Sequence, residues 1–224
     1  MSRLPQAQHI LMLFHDFAPE PALADALRLA RGWRQRGRLV TILCGTVTGP
    51  LLTSVPAGVE IKRIAREIPR SPLSFRHFFR SLPYSIDRIA PDVLFLPDAP
   101  HCSLAGTVRH LPFPPRVVGR FEPEASVALP FRWPIHLFSR WAARNFDALI
   151  IGSSRLGVTG RRMIGGRSRY FLIENRPCET QAYLDLFDVV VGAGTRARPA
   201  ESPKLREIHA RRSGIAAGTR PPPP

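Results

Sequence analysis

The chain has 224 residues, 44% of them apolar, and a formal net charge of +15. That length holds one large domain, or one domain and the start of another. All but two of the basic residues, Lys62 and Lys204, are arginine. The charge is scattered along the chain with no single block, which disfavours a dedicated nucleic-acid arm. Two readings of it stay open: an anionic partner such as a membrane surface, or drift toward Arg, Ala, Pro and Gly.

The first element is "HILMLF", residues 9–14. It is a continuous apolar run, as a strand covered on both faces requires. A helix follows over residues 20–36, with Leu23, Ala26, Leu27, Ala30 and Trp33 at helical spacing. Gly37 stands where a helix commonly stops. "LVTILC", residues 39–44, is the second strand. The helix between them makes a βαβ unit, so the two strands are parallel. The loop "HDFAPEPA", residues 15–22, has none of the glycines that would let a backbone approach a phosphate.

"VEIKRI", residues 59–64, alternates and reads as a third strand near an edge. Residues 71–90 read as a helical segment broken at Pro83. "PDVLFLPD", residues 91–98, is a buried strand that ends in Asp98. Further strands are expected at 116–121, 147–154 and 168–177, with helices at 102–111 and 132–146. Strands and helices alternate over about 175 residues. The expected fold class is therefore α/β: a Rossmann-like, doubly wound, mainly parallel sheet. After Gly194 the sequence becomes rich in Arg and Pro and poor in large apolar residues. Residues 195–224 are expected to form a disordered basic tail.

In such a sheet ligands bind at the C-terminal ends of the strands. The residues there are His15 and Asp16, then Asp98 and His101, then Arg120 and Glu122, and finally Ser153 and Ser154. Each could instead be a turn residue or a helix cap. Arg120 is the least ordinary of them, because an arginine in an apolar strand needs an anion or solvent. A second group lies in "RSPLSFRHFFR", residues 70–80, where Arg70, Arg76 and Arg80 alternate with Phe75, Phe78 and Phe79. On a helix the three phenylalanines share one face. They would either pack on the sheet or sit in the headgroup boundary of an anionic membrane.

Several chemistries are excluded. There is no P-loop, no nucleophile elbow and no Gly-rich dinucleotide fingerprint. No His/Cys cluster has metal-ligand spacing, and no cofactor is expected. Cys44, Cys102 and Cys178 are far apart and odd in number, which fits a reducing compartment. The apolar run at 9–14 reads as a strand rather than a leader. The expected location is the cytoplasm, with the inner face of the membrane as a place to work.

The order of these segments resembles a known family. "HILMLFHDFAP…ALRLARGWRQRGRLVTILCG", "PDVLFLPDAPH", "RWAARNFDALIIGSS" and "YFLIENRP" are similar to the N-terminal, acceptor-binding domain of family-four GT-B glycosyltransferases. The resemblance implies half of a two-domain sugar transferase, with a sugar or lipid-linked acceptor as partner. Its other half would bind a nucleotide sugar. The chain departs from the pattern in three places. The loop after the first strand has lost its glycines, Arg120-Phe121 stand where a histidine is usual, and no two glutamates lie eight apart. "DVVVGAG", residues 188–194, reads as the first strand of a donor domain that then stops. The resulting division is an extension at 1–8, the Rossmann-like domain at 9–178, a donor-domain remnant at 179–194 and the tail. Such a chain is expected to be a truncated, frameshifted or split transferase, inactive alone. The alternatives are a non-catalytic binding module of the same fold, or a basic protein that binds nucleic acid or an anionic membrane.

Overall fold

The computed structural model describes residues 6–64, 66–71, 73–121, 144–151, 170–172 and 179–195. Within them seven strands form one sheet: β1 (His9–Phe14), β2 (Leu39–Cys44), β3 (Glu60–Arg63), β4 (Val93–Leu96), β5 (Arg116–Phe121), β6 (Ala148–Ile151) and β7 (Tyr170–Leu172). Their order across the sheet is β3-β2-β1-β4-β5-β6-β7, and every pairing is parallel. This is the doubly wound arrangement that the alternating pattern predicts. β3 is an edge strand, as its alternation suggests.

The strands owe their place to period-two burial on both faces. Ile10, Met12 and Phe14 of β1 face one side, while Leu11 and Leu13 face the other. Helix α1 (Pro21–Gln35) covers the first side with the stripe read from the sequence: Leu23, Ala26, Leu27, Ala30 and Trp33 are all buried. Pro21 opens the helix, where its missing N–H costs nothing. Gly37 closes it with a φ of 78°, a left-handed turn that a side chain would oppose. Helix α2 (Ser74–Ile89) covers the second side through Phe78, Leu82 and Ile86. A short helix α3 (Ala99–Cys102) and a 3-10 turn over Ser103–Val108 continue that layer.

Aspartates tie the starts of the strands together. The Asp92 carboxylate accepts from the backbone N–H groups of Gln8 and His9, both at 2.9 Å. Asp147 does the same for Val117 at 2.8 Å and pairs with Arg116 at 3.1 Å. These bonds lie at the edge opposite the strand ends discussed below, so they serve the sheet and not a site.

Two expectations are corrected. α2 is not broken at Pro83 but runs through it. A proline there removes one N–H and crowds the carbonyl four residues earlier. That carbonyl belongs to Phe79, which is on the solvent side, so water can satisfy it. The second correction concerns residues 188–194. They lie in helix α4 (Glu179–Thr195), not in a strand. The valines of "DVVVGAG" favour a strand locally. The stripe Tyr183, Leu184, Phe187 and Val190 has helical spacing and is buried in the same core as α1. Tertiary burial wins.

α4 therefore packs into the core of the sheet domain, in one cluster with α1. Trp33 of α1 meets Tyr183 and Phe187 at ring-centroid distances of 6.0 and 5.3 Å, and Phe95 of β4 at 5.6 Å. Gly32 allows the close approach, since a Cβ there would fall 2.5 Å from Thr180 Cγ2. Arg28 with Glu179 at 2.6 Å, and Arg38 with Asp188 at 2.8 Å, fix the helix along its length. The expected tail at 195–224, the helix at 132–146 and Cys178 lie outside the described residues, apart from Thr195 and the end of that helix at 144–146.

Candidate functional site

The strand order reverses between β1 and β4; in doubly wound sheets the ligand crevice lies outside the C-terminal ends of the strands at such a point. His15 and Asp16 follow β1, while Asp98 and His101 follow β4. The structure brings these four together, with Phe78 of α2 as the common wall. The Phe78 ring stands edge-on to His15 at 5.2 Å and to His101 at 5.6 Å.

Glycines are indeed absent from the β1 loop, but they stand across from it. Gly45 ends β2, and a Cβ there would come within 2.9 Å of Phe78 and 3.1 Å of the His15 carbonyl. Its N–H donates to that carbonyl at 2.9 Å. Gly49 has a φ of 129°, and a Cβ there would fall 2.3 Å from the Phe17 carbonyl carbon. The Phe17 N–H donates to Thr48 O at 2.8 Å. The loop is thus stitched to its neighbour by backbone contact.

Asp16 accepts from the Ala18 N–H at 2.9 Å, a local turn. It also takes both nitrogens of a guanidinium fork, Arg70 Nε at 2.5 Å and Nη2 at 2.8 Å. Arg70 Nη2 reaches Glu20 at 2.6 Å as well. The hydrogen bonds from Arg70 hold the Asp16 carboxyl below its ordinary range, and the Arg70 guanidinium is held correspondingly firmly charged. This latch joins the loops before α1 and α2 at the mouth of the crevice. Sequence reading missed it, because nothing in the spacing links residues 54 positions apart. Arg70, expected at a membrane, is committed to these carboxylates.

His101 is 6% exposed, and its Nδ1 lies 2.7 Å from both Asp98 oxygens. Asp98 also accepts the His101 backbone N–H at 3.0 Å. A carboxylate accepts, so Nδ1 carries a proton, and in the neutral ring the lone pair is then on Nε2. His101 Nε2 is buried without a hydrogen-bond partner among the described residues, and so is His15 Nε2. Burial lowers the His15 pKa, so its ring is neutral at pH 7. Two buried ring nitrogens without partners in one crevice are costly unless something fills them. A hydroxyl group or a water would do so. Phe75, expected to be a lipid anchor, lies 5.9 Å from the His101 ring and lines the same mouth.

Arg120 does not join this group. It alternates with Val118 toward α1, and its Nη2 pairs with Asp25 at 3.1 Å. The sheet separates it from His15. The reason an arginine tolerates the strand is this carboxylate. Phe78 is fully buried, so it is a core residue and not a membrane contact. Glu122, Ser153 and Ser154 lie outside the described residues. No cluster of metal-ligating side chains occurs among the described residues.

Similar solved structures agree on the fold. A form of sucrose-phosphate synthase from Thermosynechococcus elongatus, designated 27_220_406_426, matches with a TM-score of 0.56 at 11% identity, over 82% of this chain and 97% of that one. A second structure of that synthase matches with a TM-score of 0.57 at 12% identity, over 75% and 48%. The fold is that of a GT-B half-domain. MurG of Acinetobacter baumannii matches with a TM-score of 0.51 at 14% identity, over 76% and 46%. The lipopolysaccharide outer core galactosyltransferase WaaB does so at 0.52 and 8%, over 75% and 45%. The chain spans about half the length of these last three. No protein-family model matches it, and no curated protein matches it in sequence. The likeness to GT-B half-domains is therefore one of fold, seen in structure and not in sequence.

Proposed function

We propose that this body is the N-terminal, acceptor-binding half of a GT-B sugar transferase, of the family-four kind that its motif order resembles. The observation that carries the reading is the pair of orphaned ring nitrogens, His15 Nε2 and His101 Nε2, at the point where the strand order reverses. An acceptor hydroxyl donates its hydrogen to His101 Nε2, while Asp98 fixes the opposite nitrogen and steadies the ring. Phe75 offers an aromatic face beside it, and the Arg70 latch shapes the entrance. Transfer also needs a nucleotide sugar and donors aimed at its diphosphate. In the two-domain arrangement that this reading invokes, the other half supplies them. The reading therefore assigns acceptor binding, and not sugar transfer, to this body.

Two measurements test this. Calorimetry with octyl glycosides below their micelle concentration should detect saturable binding, weakened at least tenfold by His101→Ala. Incubation with UDP- and GDP-sugars should release no nucleotide. Binding that is indifferent to His101→Ala, or turnover by the single chain, contradicts the reading.

A further inference from the structure

α2 connects two parallel strands, so it runs back along the sheet and its first turns stand at the crevice edge. Its inward arc is Ser74, Phe78, Leu82, Ser85 and Ile86. The outward arc is unusual for a surface helix. Leu73, Phe79 and Tyr84 are exposed to 60%, 54% and 59%. Between them stand Arg76 and Arg80, also exposed. No ion pair with a described residue holds either guanidinium. Arg88 lies over the Tyr84 ring at 5.8 Å, and Asp87 is the single acid on this arc. Large apolar side chains interleaved with free arginines, on a chain of net charge +15, match an interface that is anionic at its surface and apolar just beneath. A protein partner would need carboxylates placed to meet Arg76 and Arg80 around an apolar patch, whereas an anionic bilayer offers phosphates all over an apolar layer. Nucleic acid would leave Leu73 and Phe79 in water, unless bases stacked on them.

We propose that the outward face of α2, built from Leu73, Arg76, Phe79, Arg80 and Tyr84, docks on an anionic lipid surface. The aromatic rings enter the headgroup boundary and the arginines meet lipid phosphates. The contact is made by side chains on one face of α2; no described helix is long and apolar enough to cross a membrane. Because α2 begins beside His101, docking holds the crevice against the bilayer, where an acceptor with a lipid tail would be presented. The lipid contact itself stands on the exposed face and not on sugar transfer, so either can fail without the other.

Vesicle co-sedimentation of the full chain tests it. The chain should pellet with phosphatidylcholine vesicles containing about one third phosphatidylglycerol and stay in solution with pure phosphatidylcholine. About 1 M salt, which shortens screening to about 3 Å, should release it. Arg76→Glu with Arg80→Glu should cut the bound fraction at least tenfold, and Phe79→Ala with Tyr84→Ala severalfold. Arg31→Glu, an exposed residue of α1 on the other side of the sheet, should change it less than twofold. All substituted side chains are exposed, and matching circular dichroism confirms folding. Three results overturn the proposal: no preference for anionic vesicles, equal losses from the α1 and α2 charge reversals, or unchanged binding in the aromatic double variant. Tighter retention by single-stranded DNA through the same α2 arginines would also overturn it, in favour of nucleic acid.

Discussion

Asp98 holds His101 twice, through the backbone N–H at 3.0 Å and through ring Nδ1 at 2.7 Å. One carboxylate thus starts the short helix and selects the tautomer of the ring it carries. Asp98→Asn keeps an oxygen for the backbone N–H but loses the charge facing the ring. Stability should change by no more than about 1 kcal/mol in urea unfolding, while glycoside binding falls severalfold. Equal losses in both would make Asp98 a helix cap and nothing more.

The Arg70 latch should give stability a defined acid dependence. Its hydrogen bonds depress the folded-state pKa of Asp16. A depressed carboxylate contributes stability above its unfolded value of about 3.9, and loses it as pH falls through the lower folded value. Arg70 is about half exposed, so solvent screening limits the pair to about 1 kcal/mol. Arg70→Ala should cost that much at pH 7 and progressively less below pH 4. A difference that stays constant down to pH 2 would show that packing, not charge, is at work.

His15 should titrate below the ordinary imidazole value of about 6.5, because burial disfavours its charged form. The unfolded chain then binds the extra proton first. Stability is complete above about pH 6.5 and declines as pH falls toward the folded value. A ring-proton NMR titration with a midpoint at or above 6.5 would contradict the burial seen here.

Gly49→Ala should be costly. The left-handed φ of 129° and a Cβ placed 2.3 Å from the Phe17 carbonyl carbon both oppose it. Backbone would have to move, at about 2–4 kcal/mol by chemical unfolding. A change under 1 kcal/mol would mean that the loop at 15–20 is held less tightly than its hydrogen bonds imply.

α4 seals the α1 face, so Phe187→Ala should cost about 3–5 kcal/mol, the price of removing a fully buried ring. Trp33 packs on Phe187 and would report the loss by fluorescence. A near-neutral substitution would show that α4 is not part of the folding unit.

Much of the architecture was legible because burial on both faces writes itself as continuous apolar runs. β1, α1 and β2 follow the residues as read, and the winding rule placed His15, Asp98 and His101 at one edge. Four features were not legible, each for a physical reason. Phe75, Phe78 and Phe79 share a helical face by spacing, but spacing does not say how the helix is rotated. Phe78 faces inward, Phe79 outward, and Phe75 sits at the crevice. The Arg70 latch joins two loops, whose contacts leave no periodic trace. "DVVVGAG" was read in too short a window: the stripe that makes it helical begins earlier, at Tyr183. The short apolar run of β5 does not show its parity, and so does not show that Arg120 turns toward Asp25.

The most direct test of the acceptor crevice is histidine NMR on the full chain, with octyl glycoside added stepwise. The orphaned nitrogens of His15 and His101 share one wall, so their ring signals should shift together and saturate at one ligand concentration, while exposed His77 on α2 stays unmoved. If glycosides leave both rings unchanged, or if a nucleoside diphosphate shifts them and glycosides do not, the crevice is not an acceptor site.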